Sequence, residues 1–277
     1  MKLEIEFVKF NPTQNMTILV RTQHPINEYA YIASKMMSYD HVYAEQVGFI
    51  EEPIHHGAAA HLQMAGGEFC GNACMALAAL IASERGIVHN DWMNIELEAS
   101  GTEQFIACQV KKIKEQYVCQ VSMPIPNKIE KKTLNYEGDD LDIAIVRYHD
   151  FLHIVIEVEQ FDLTMRNKAQ GLAKLLGVVL GANLIGVLLF KSDSHELAPL
   201  IYVPPLDSMI WERGCGSGTA SLGAYLSWIR QAAIAVPIRQ PGGTIHVTAD
   251  CYQDEVTNLR IEGSVEIVAQ GKAYIHI

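Results

Sequence analysis

Residues 68–81 read Glu-Phe-Cys-Gly-Asn-Ala-Cys-Met-Ala-Leu-Ala-Ala-Leu-Ile, and residues 213–226 read Arg-Gly-Cys-Gly-Ser-Gly-Thr-Ala-Ser-Leu-Gly-Ala-Tyr-Leu. In both stretches a cysteine, a glycine and a small polar residue precede an apolar segment. Apolar residues follow each cysteine at offsets 7, 10 and 11, namely Leu77, Leu80 and Ile81 after Cys70, and Leu222, Tyr225 and Leu226 after Cys215. These offsets fall on one face of a helix that begins at the cysteine. The repeat therefore predicts two similar halves and a paired site.

The composition is that of a globular protein with a sizeable core. The chain has 277 residues, enough for one large domain or two of ordinary size. Apolar residues make up 49% of it and charged residues 19%. The net charge of −11 argues against a nucleic-acid partner, which needs a basic surface, and against an anionic membrane surface.

The sequence shows no segment that favours secretion or membrane insertion. Met1–Phe7 alternates polar and apolar residues like a strand and lacks the apolar core of a signal peptide. Gly171–Phe190 is the most hydrophobic window, but Lys174, Asn183 and four glycines interrupt it. A buried helix followed by a strand is expected there instead of a membrane span. We therefore expect a cytoplasmic protein whose cysteines are thiols.

Each half of the chain combines strands with one or two helices. In the first half, strands are predicted at 2–10, 16–21, 41–50, 61–64, 93–99, 104–111 and 117–123, and helices at 27–37 and 70–84. In the second half, strands are predicted at 142–147, 153–158, 184–190, 199–203, 244–249, 255–262, 265–269 and 273–277, and helices at 165–176 and after Cys215. Pro124–Asp142 is rich in turn residues, so we place the domains at 1–127 and 128–277, with the last strand able to pair with the first half. The pattern indicates an α+β fold, with a curled sheet around a central helix in each domain.

A cysteine at a helix N-terminus is suited to acid–base chemistry. The unpaired N–H groups and the positive end of the helix dipole favour an anion, so the pKa of the thiol is expected to fall. The same N–H groups can hold a substrate carboxylate. If two such helix starts face each other, one thiolate can remove an α-proton while the opposite thiol protonates the other face. The stereocentre is then inverted without a cofactor, provided that the helix N–H groups stabilise the enediolate.

Structural roles remain open for the same residues. A cysteine at a helix start is often a packing residue, and a disulfide between Cys70 and Cys215 would also bring two helix ends together. The second copy at matching offsets favours catalysis, and the expected compartment disfavours the disulfide. Cys70 and Cys74 are poorly spaced for zinc and have no second close pair, so no metal site is predicted. The other cysteines fit ordinary buried positions.

At these motifs the chain resembles the diaminopimelate epimerase-like superfamily of cofactor-independent racemases. The resemblance rests on Cys-Gly-Asn at 70–72 and Cys-Gly-Ser-Gly at 215–218, and it extends to the segments at 11–15, 45–46 and 240–243. Further segments, at 41–51, 67–72, 199–204, 210–212 and 271–275, are similar to the group within it that acts on histidine and supplies D-histidine for staphylopine-type metallophores. The resemblance implies two pseudo-symmetric domains with mostly antiparallel sheets, an active site in the cleft between the domains, and a homodimer.

The resemblance also implies roles for individual residues. Cys70 and Cys215 match the catalytic acid–base pair. The positions that match substrate contacts are Asn15, Glu45, Gln46, Gly71, Asn72, Glu212, Gly216 and Ser217. Among them, Glu45 is expected to face the α-amino group or the imidazole of the substrate, and a solvated carboxylate at a strand end is the alternative. Glu212, three residues before the second cysteine, is the stronger candidate.

Two departures from the diaminopimelate enzymes bear on the substrate. Met64 stands where those enzymes carry an asparagine, and Glu212-Arg213-Gly214 runs into Cys215 without their longer loop. In the diaminopimelate enzymes the missing groups bind the second amino-acid group of the substrate. A shorter and less polar pocket, suited to an imidazole, is therefore expected here. The resemblance therefore implies interconversion of L- and D-histidine. The alternatives are a racemase or epimerase of the diaminopimelate or proline type, and a non-catalytic thiol-based binding protein. Phenazine-type isomerases share the fold but usually lack one or both thiols.

Overall fold

The structure is a computed structural model that describes residues 2–180, 182–204 and 207–276. The chain divides into two compact units. The first unit contains the residues up to Ser122 together with those from Glu262 onward, and the second contains Met123–Ile261. The helices of the described ranges lack the length and apolar character needed to cross a membrane.

The first unit is a closed ring of strands. Its elements are β1 (Lys2–Pro12), β2 (Thr17–Val20), a 3-10 turn (Ile26–Glu28), α1 (Tyr29–Met37), β3 (Gln46–Glu51), β4 (His61–Met64), α2 (Gly71–Glu84), β5 (Trp92–Ala99), β6 (Ile106–Ile113), β7 (Gln116–Ser122) and the second part of β16 (Glu255–His276). The strands follow the order β1-β2-β3-β4-β5-β6-β7-β16, and β16 also pairs with β1. That last pairing is antiparallel and sets Lys2 opposite His276.

Helix α2 lies at the core of the first unit. An ordinary surface helix buries one apolar stripe, whereas every residue of 71–82 is buried in α2. The segment tolerates this because it consists of alanines, larger apolar residues, a cysteine, a glycine and one asparagine. The helix contacts β1, β2, β5, β6 and β7. The first unit is therefore a curled sheet around a central helix, as the sequence predicts.

The second unit also combines a sheet with a buried helix. Its elements are β8 (Lys128–Tyr136), β9 (Asp139–Arg147), β10 (Phe151–Glu157), α3 (Leu163–Leu180), β11 (Leu184–Lys191), β12 (Glu196–Val203), β13 (Ser208–Trp211), α4 (Gly216–Arg230), β14 (Ile234–Gln240), β15 (Gly243–Tyr252) and the first part of β16. The order is β16-β15-β14-β12-β11-β10-β9-β8, with β13 paired to β12. Helix α4 is the buried one, and it contacts β9, β10, β11, β14 and β15.

Most predicted elements are confirmed, and the errors are local. The residues at offsets 7, 10 and 11 from each cysteine are all buried. The strand predicted from His41 begins only at Gln46, and strands β8, β13 and β14 were missed. The three strands predicted from residue 255 onward are one continuous strand, β16, and Ile277 lies outside the described residues. The predicted domain boundary between 127 and 128 stays a prediction.

Candidate active site

Cys70 is the N-cap residue of α2, as predicted. Its backbone is extended, with φ −133° and ψ 106°, and its Sγ accepts the N–H of Ala73 at 3.4 Å. A sulfur in this position replaces the side-chain oxygen that usually caps a helix. The residue is 9% exposed, so the thiol lies almost entirely within the protein and against the helix N-terminus.

The backbone that leads into Cys70 is held by the turn after β5. Ser100 Oγ donates to the carbonyl of Glu68 at 2.8 Å and accepts the N–H of Met64 at 3.0 Å. Gly101, at φ +73°, lies so close that a Cβ atom there would be 2.3 Å from the N atom of Phe69. Only glycine fits such a contact at a left-handed φ. The position of the first thiol therefore depends on this turn.

The side chain of Gln46 contacts the first thiol directly. Cys70 Sγ–H donates to Gln46 Oε1 at 2.5 Å. The backbone N–H groups of Glu45 and Gln46 both donate to the carbonyl of Met16, at 2.8 and 3.2 Å. The residue before Met16 is Asn15, which is fully buried. Four of the predicted site positions thus form one local cluster in the first unit.

Cys215 is the N-cap residue of α4, which also confirms the prediction. Its φ and ψ are −108° and 106°, and its Sγ accepts the N–H of Gly218 at 3.2 Å. Ser217 Oγ lies 3.6 Å from the same sulfur. A Cβ atom on Gly218 would be 3.0 Å from this Sγ, so glycine permits the close approach of sulfur to the helix. Cys215 is 2% exposed.

A second set of hydrogen bonds fixes the backbone of Cys215. Its N–H donates to Gln240 Oε1 at 2.7 Å, and Gln240 Nε2 donates to Thr219 Oγ1 at 2.7 Å. Thr219 Oγ1 in turn donates to the carbonyl of Cys215 at 2.6 Å. Sequence reasoning noted the 240–243 segment only as part of the resemblance and missed this role of Gln240.

The electrostatic surroundings of Cys215 differ from the sequence expectation. Burial raises the pKa of the Cys215 thiol well above its ordinary value, and the charge and hydrogen bond of Glu212 raise it further. The Ser217 hydroxyl and the Gly218 N–H lower this pKa, but their effect is smaller. The helix N-terminus lowers this pKa through the Gly218 N–H, as expected, but burial outweighs that effect at Cys215. The thiol form is favoured at this position.

The structure groups the predicted residues by unit. Gly71 and Asn72 form the first turn of α2 beside Cys70, with Gln46, Glu45 and Asn15 nearby, while Glu212, Gly216 and Ser217 surround Cys215. Met64, which replaces the asparagine of the diaminopimelate enzymes, is 2% exposed at the end of β4. The substrate-contacting roles of these residues stay predictions.

The remaining cysteines and the buried histidine have structural surroundings. All six cysteines lie in the described ranges and are free thiols. Burial raises the pKa of Cys74, Cys108 and Cys119. His153 is fully buried, its Nδ1 lies 2.7 Å from Ser221 Oγ, and burial lowers the pKa of its ring to about 3. It is therefore neutral at ordinary pH, which fits a packed residue.

Comparison with known proteins identifies relatives along the whole chain. The family model described as histidine racemase CntK N-terminal domain matches residues 4–274. A histidine racemase of Staphylococcus aureus is 35% identical over 273 residues, which cover 98% of this chain and 98% of that protein. A histidine racemase of Fusobacterium nucleatum is 31% identical over 274 residues, covering 98% and 97%.

Solved structures with much lower identity share the fold. A hydroxyproline epimerase from Agrobacterium vitis superposes with a TM-score of 0.71 at 11% identity, covering 98% of this chain and 93% of that one. A Bacillus anthracis phenazine biosynthesis protein of the PhzF family gives 0.70 at 12% identity, covering 99% and 100%. At such identities the likeness concerns the fold alone, and it agrees with the α+β architecture expected from the sequence.

Proposed function

The chain belongs to the histidine racemase family, and from that premise we propose that it interconverts L- and D-histidine by moving the α-proton between two thiols, without a cofactor. The observation that carries the proposal is that Cys70 and Cys215 are both buried N-cap residues whose sulfur accepts a helix N–H. A two-thiol acid–base mechanism requires two such thiols, each held against a helix N-terminus.

The proposed reaction transfers one proton at each sulfur. The thiolate of one cysteine takes the α-proton, and the electrons of the C–H bond enter the carboxylate to form an enediolate. The second cysteine then gives its S–H proton to the opposite face of the α-carbon. Product release leaves the first cysteine as a thiol and the second as a thiolate, ready for the other enantiomer. No atom is gained or lost beyond the exchanged proton.

The two cysteines are not equivalent before the reaction. Burial and the Glu212 carboxylate favour the protonated form of Cys215, and the Cys70 S–H donates a hydrogen bond to the amide oxygen of Gln46. In the proposal each enzyme form carries one thiol and one thiolate. It accepts the enantiomer whose α-hydrogen faces the thiolate.

The helix starts supply the electrostatic part of the mechanism. The N–H groups of Gly71, Asn72, Gly216 and Ser217 belong to first turns, where helix N–H groups have no partner within the helix. In the proposal they hold the substrate carboxylate and stabilise the negative charge that grows on it in the enediolate. Preorganised donors of this kind lower a barrier because they need no rearrangement during the reaction.

The proposed substrate contacts follow the predicted positions. Glu212 and Glu45 provide carboxylates for the α-ammonium group or the imidazole N–H, and Asn15 and Gln46 provide neutral polar groups. Met64 contributes an apolar wall in place of an amide. We further propose a cytoplasmic homodimer that supplies D-histidine for an opine-type metallophore, a proposal that rests on the resemblance of the sequence.

Proton exchange with solvent tests the function directly. Each L-amino acid is incubated separately with the protein in D₂O, and loss of the α-proton signal is followed by NMR together with chiral analysis. Loss of the signal with histidine, accompanied by the D-enantiomer, is expected. Exchange with diaminopimelate or proline but not with histidine would reassign the substrate. A protein that exchanges no α-proton, yet binds histidine, would be a non-catalytic binding protein.

A further inference from the structure

The turn between β1 and β2 has an unusual conformation. Thr13 and Gln14 have left-handed backbones, with φ of 52° and 59°. For a β-branched residue such as Thr13 this conformation is a true outlier and is energetically unfavourable. Strain of this kind persists where the surroundings enforce it, and it concentrates at functional sites. The turn is enforced here by the hydrogen bonds Gln14 N–H to Asn11 Oδ1, at 2.7 Å, and Asn15 N–H to the carbonyl of Pro12, at 3.0 Å.

The polar side chains of this turn are buried without protein partners. Thr13 is 5% exposed and Asn15 is 0% exposed. Among the residues that the structure describes, Thr13 Oγ1 and both amide atoms of Asn15 have no hydrogen-bond partner. An unpaired buried polar group destabilises the folded protein, and nearly all such groups in proteins are paired. Three unpaired atoms within one strained turn therefore indicate that a partner is supplied from outside the chain.

The space beside the Thr13 hydroxyl is kept open by a glycine. Gly263 of β16 lies opposite the turn, and a Cβ atom there would be 3.3 Å from Thr13 Oγ1 and 3.5 Å from Met75 Sδ. Any larger residue would crowd the hydroxyl. Met75 belongs to α2, one turn beyond the N-cap Cys70, so this space borders the helix that carries the first thiol.

The turn is also linked to that thiol by a short chain of contacts. Asn15 precedes Met16, whose carbonyl accepts the N–H of Gln46, and Gln46 Oε1 accepts the S–H of Cys70. The unpaired groups thus belong to the same local cluster of the first unit as the thiol of Cys70.

The chemistry of the unpaired atoms identifies what they recognise. A hydroxyl and an amide together offer both donors and acceptors and carry no charge. A carboxylate requires donors only, and an ammonium requires acceptors only. A neutral imidazole has one N–H donor and one nitrogen acceptor, which this pair can satisfy. On the basis of the proposed function, we infer that the Thr13 hydroxyl is a further specificity-determining contact, which binds the imidazole of histidine together with Asn15.

Thr13→Val tests the inference because it keeps the shape and β-branching and removes only the hydroxyl. In the absence of histidine, urea unfolding of the variant should occur at the same or a higher concentration than for the wild type, since an unsatisfied polar atom has been removed. With histidine, KM should rise about tenfold with little change in kcat. Inhibition by imidazolepropionate, which keeps the ring and the carboxylate, should weaken by a similar factor. Thr13→Ser retains the hydroxyl and should keep a near-normal KM.

Two results for Thr13→Val would contradict the inference. A Thr13→Val variant that unfolds more easily, or that retains the wild-type KM, would show that the hydroxyl is satisfied within the protein or by a structural water. If Thr13→Val does not fold, Thr13→Ala provides the same KM measurement. A wild-type protein without α-proton exchange of histidine would overturn the proposed function and this assignment with it, whereas a change confined to the variants tests Thr13 alone.

Discussion

Gln240 Oε1 accepts the backbone N–H of Cys215 at 2.7 Å, and through Thr219 the same side chain is connected to the carbonyl of that cysteine. The Gln240 amide thus holds both the N–H and the carbonyl group of Cys215, the N–H directly and the carbonyl through Thr219. Because Gln240 is 9% exposed, water does not replace these bonds readily. The orientation of the Cys215 sulfur is set by a residue at the end of β14 as much as by its own helix.

Gln240→Leu should therefore impair catalysis more than binding. The variant keeps the bulk of the side chain but leaves the N–H of Cys215 buried and unpaired, at a cost of about 1–3 kcal/mol in stability. Because misplacement of a reacting group by about 1 Å can slow a reaction roughly a hundredfold, we expect kcat to fall by about 10- to 100-fold with a smaller change in KM. Steady-state racemisation of histidine measures both. The exposed Gln160, changed to Leu, serves as the control, and an unaltered kcat in Gln240→Leu would contradict the positioning role.

Cys70→Ser and Cys215→Ser should each lose racemisation, because each face of the α-carbon needs its own acid–base group and a serine hydroxyl is a far weaker acid. A loss of about a hundredfold or more is expected from removal of a positioned acid or base. Chiral chromatography of the histidine product measures it. Cys251→Ser, in β15 and only partly buried, should retain wild-type activity. Full activity in either of the first two variants would be incompatible with the paired mechanism.

Glu212→Gln should move the pH dependence of the reaction to lower pH. The Glu212 carboxylate raises the pKa of the Cys215 thiol, so its neutral replacement lowers that pKa. In the direction in which Cys215 acts as the acid, activity is lost as the thiol deprotonates, so the alkaline limb of the kcat/KM profile moves to lower pH. In the reverse direction Cys215 is the base, and the acidic limb of the profile moves to lower pH instead.

Initial rates from L-histidine and from D-histidine, measured across pH, separate these two cases and assign the role of Cys215 for each enantiomer. The exposed Glu255, changed to Gln, is the control in the same unit. Profiles of Glu212→Gln that coincide with the wild type, or that move to higher pH, would rule out the influence of this carboxylate on the thiol.

Gly101→Ala should be strongly destabilising and should also lower activity. The substitution places a Cβ atom 2.3 Å from the N atom of Phe69 at a left-handed φ, so the backbone before Cys70 must move. Gly86→Ala isolates the effect of φ, because Gly86 has φ +69° and open space around it, and it should lose about 1–2 kcal/mol of unfolding free energy. Urea denaturation of both variants gives the comparison. Equal losses would mean that the contact with Phe69 adds nothing.

The sequence was sufficient for the features that depend on local pattern. The two helix starts were predictable because a cysteine, a glycine and the apolar offsets that follow it lie within one short stretch. Strands β8 and β14 were not predicted because their residue patterns are not typical of a strand. Lys128–Tyr136 forms the edge strand β8 and is largely exposed, so its charged residues resemble a loop. Strand β14 contains Pro237, which usually argues against a strand.

The site was less predictable because its chemistry arises from residues far apart in the chain. The raised pKa of Cys215 depends on burial, which a helix-terminus argument does not include. Gln240 follows Cys215 by 25 residues, and no local pattern links the two. The strain at Thr13 is a backbone property that a β-branched residue would not suggest. Resemblance to a known family identified positions such as Gln46, but not the hydrogen bond by which Gln46 contacts the thiol.

The pairing of β1 with β16 has a consequence for the order in which the protein is made. Lys2 pairs opposite His276, so the ring of the first unit can close only after the chain has been synthesised as far as His276. The second unit is formed by one continuous segment, residues 123–261. Because domains fold as units during synthesis, we expect the second unit to fold before the first is complete. Until β16 has been synthesised, one edge of β1 lacks its partner strand, and an unpaired strand edge can pair with other chains. Lys2, Glu4 and Glu6 of β1 are exposed, and charged side chains of this kind disfavour pairing between the edges of different sheets.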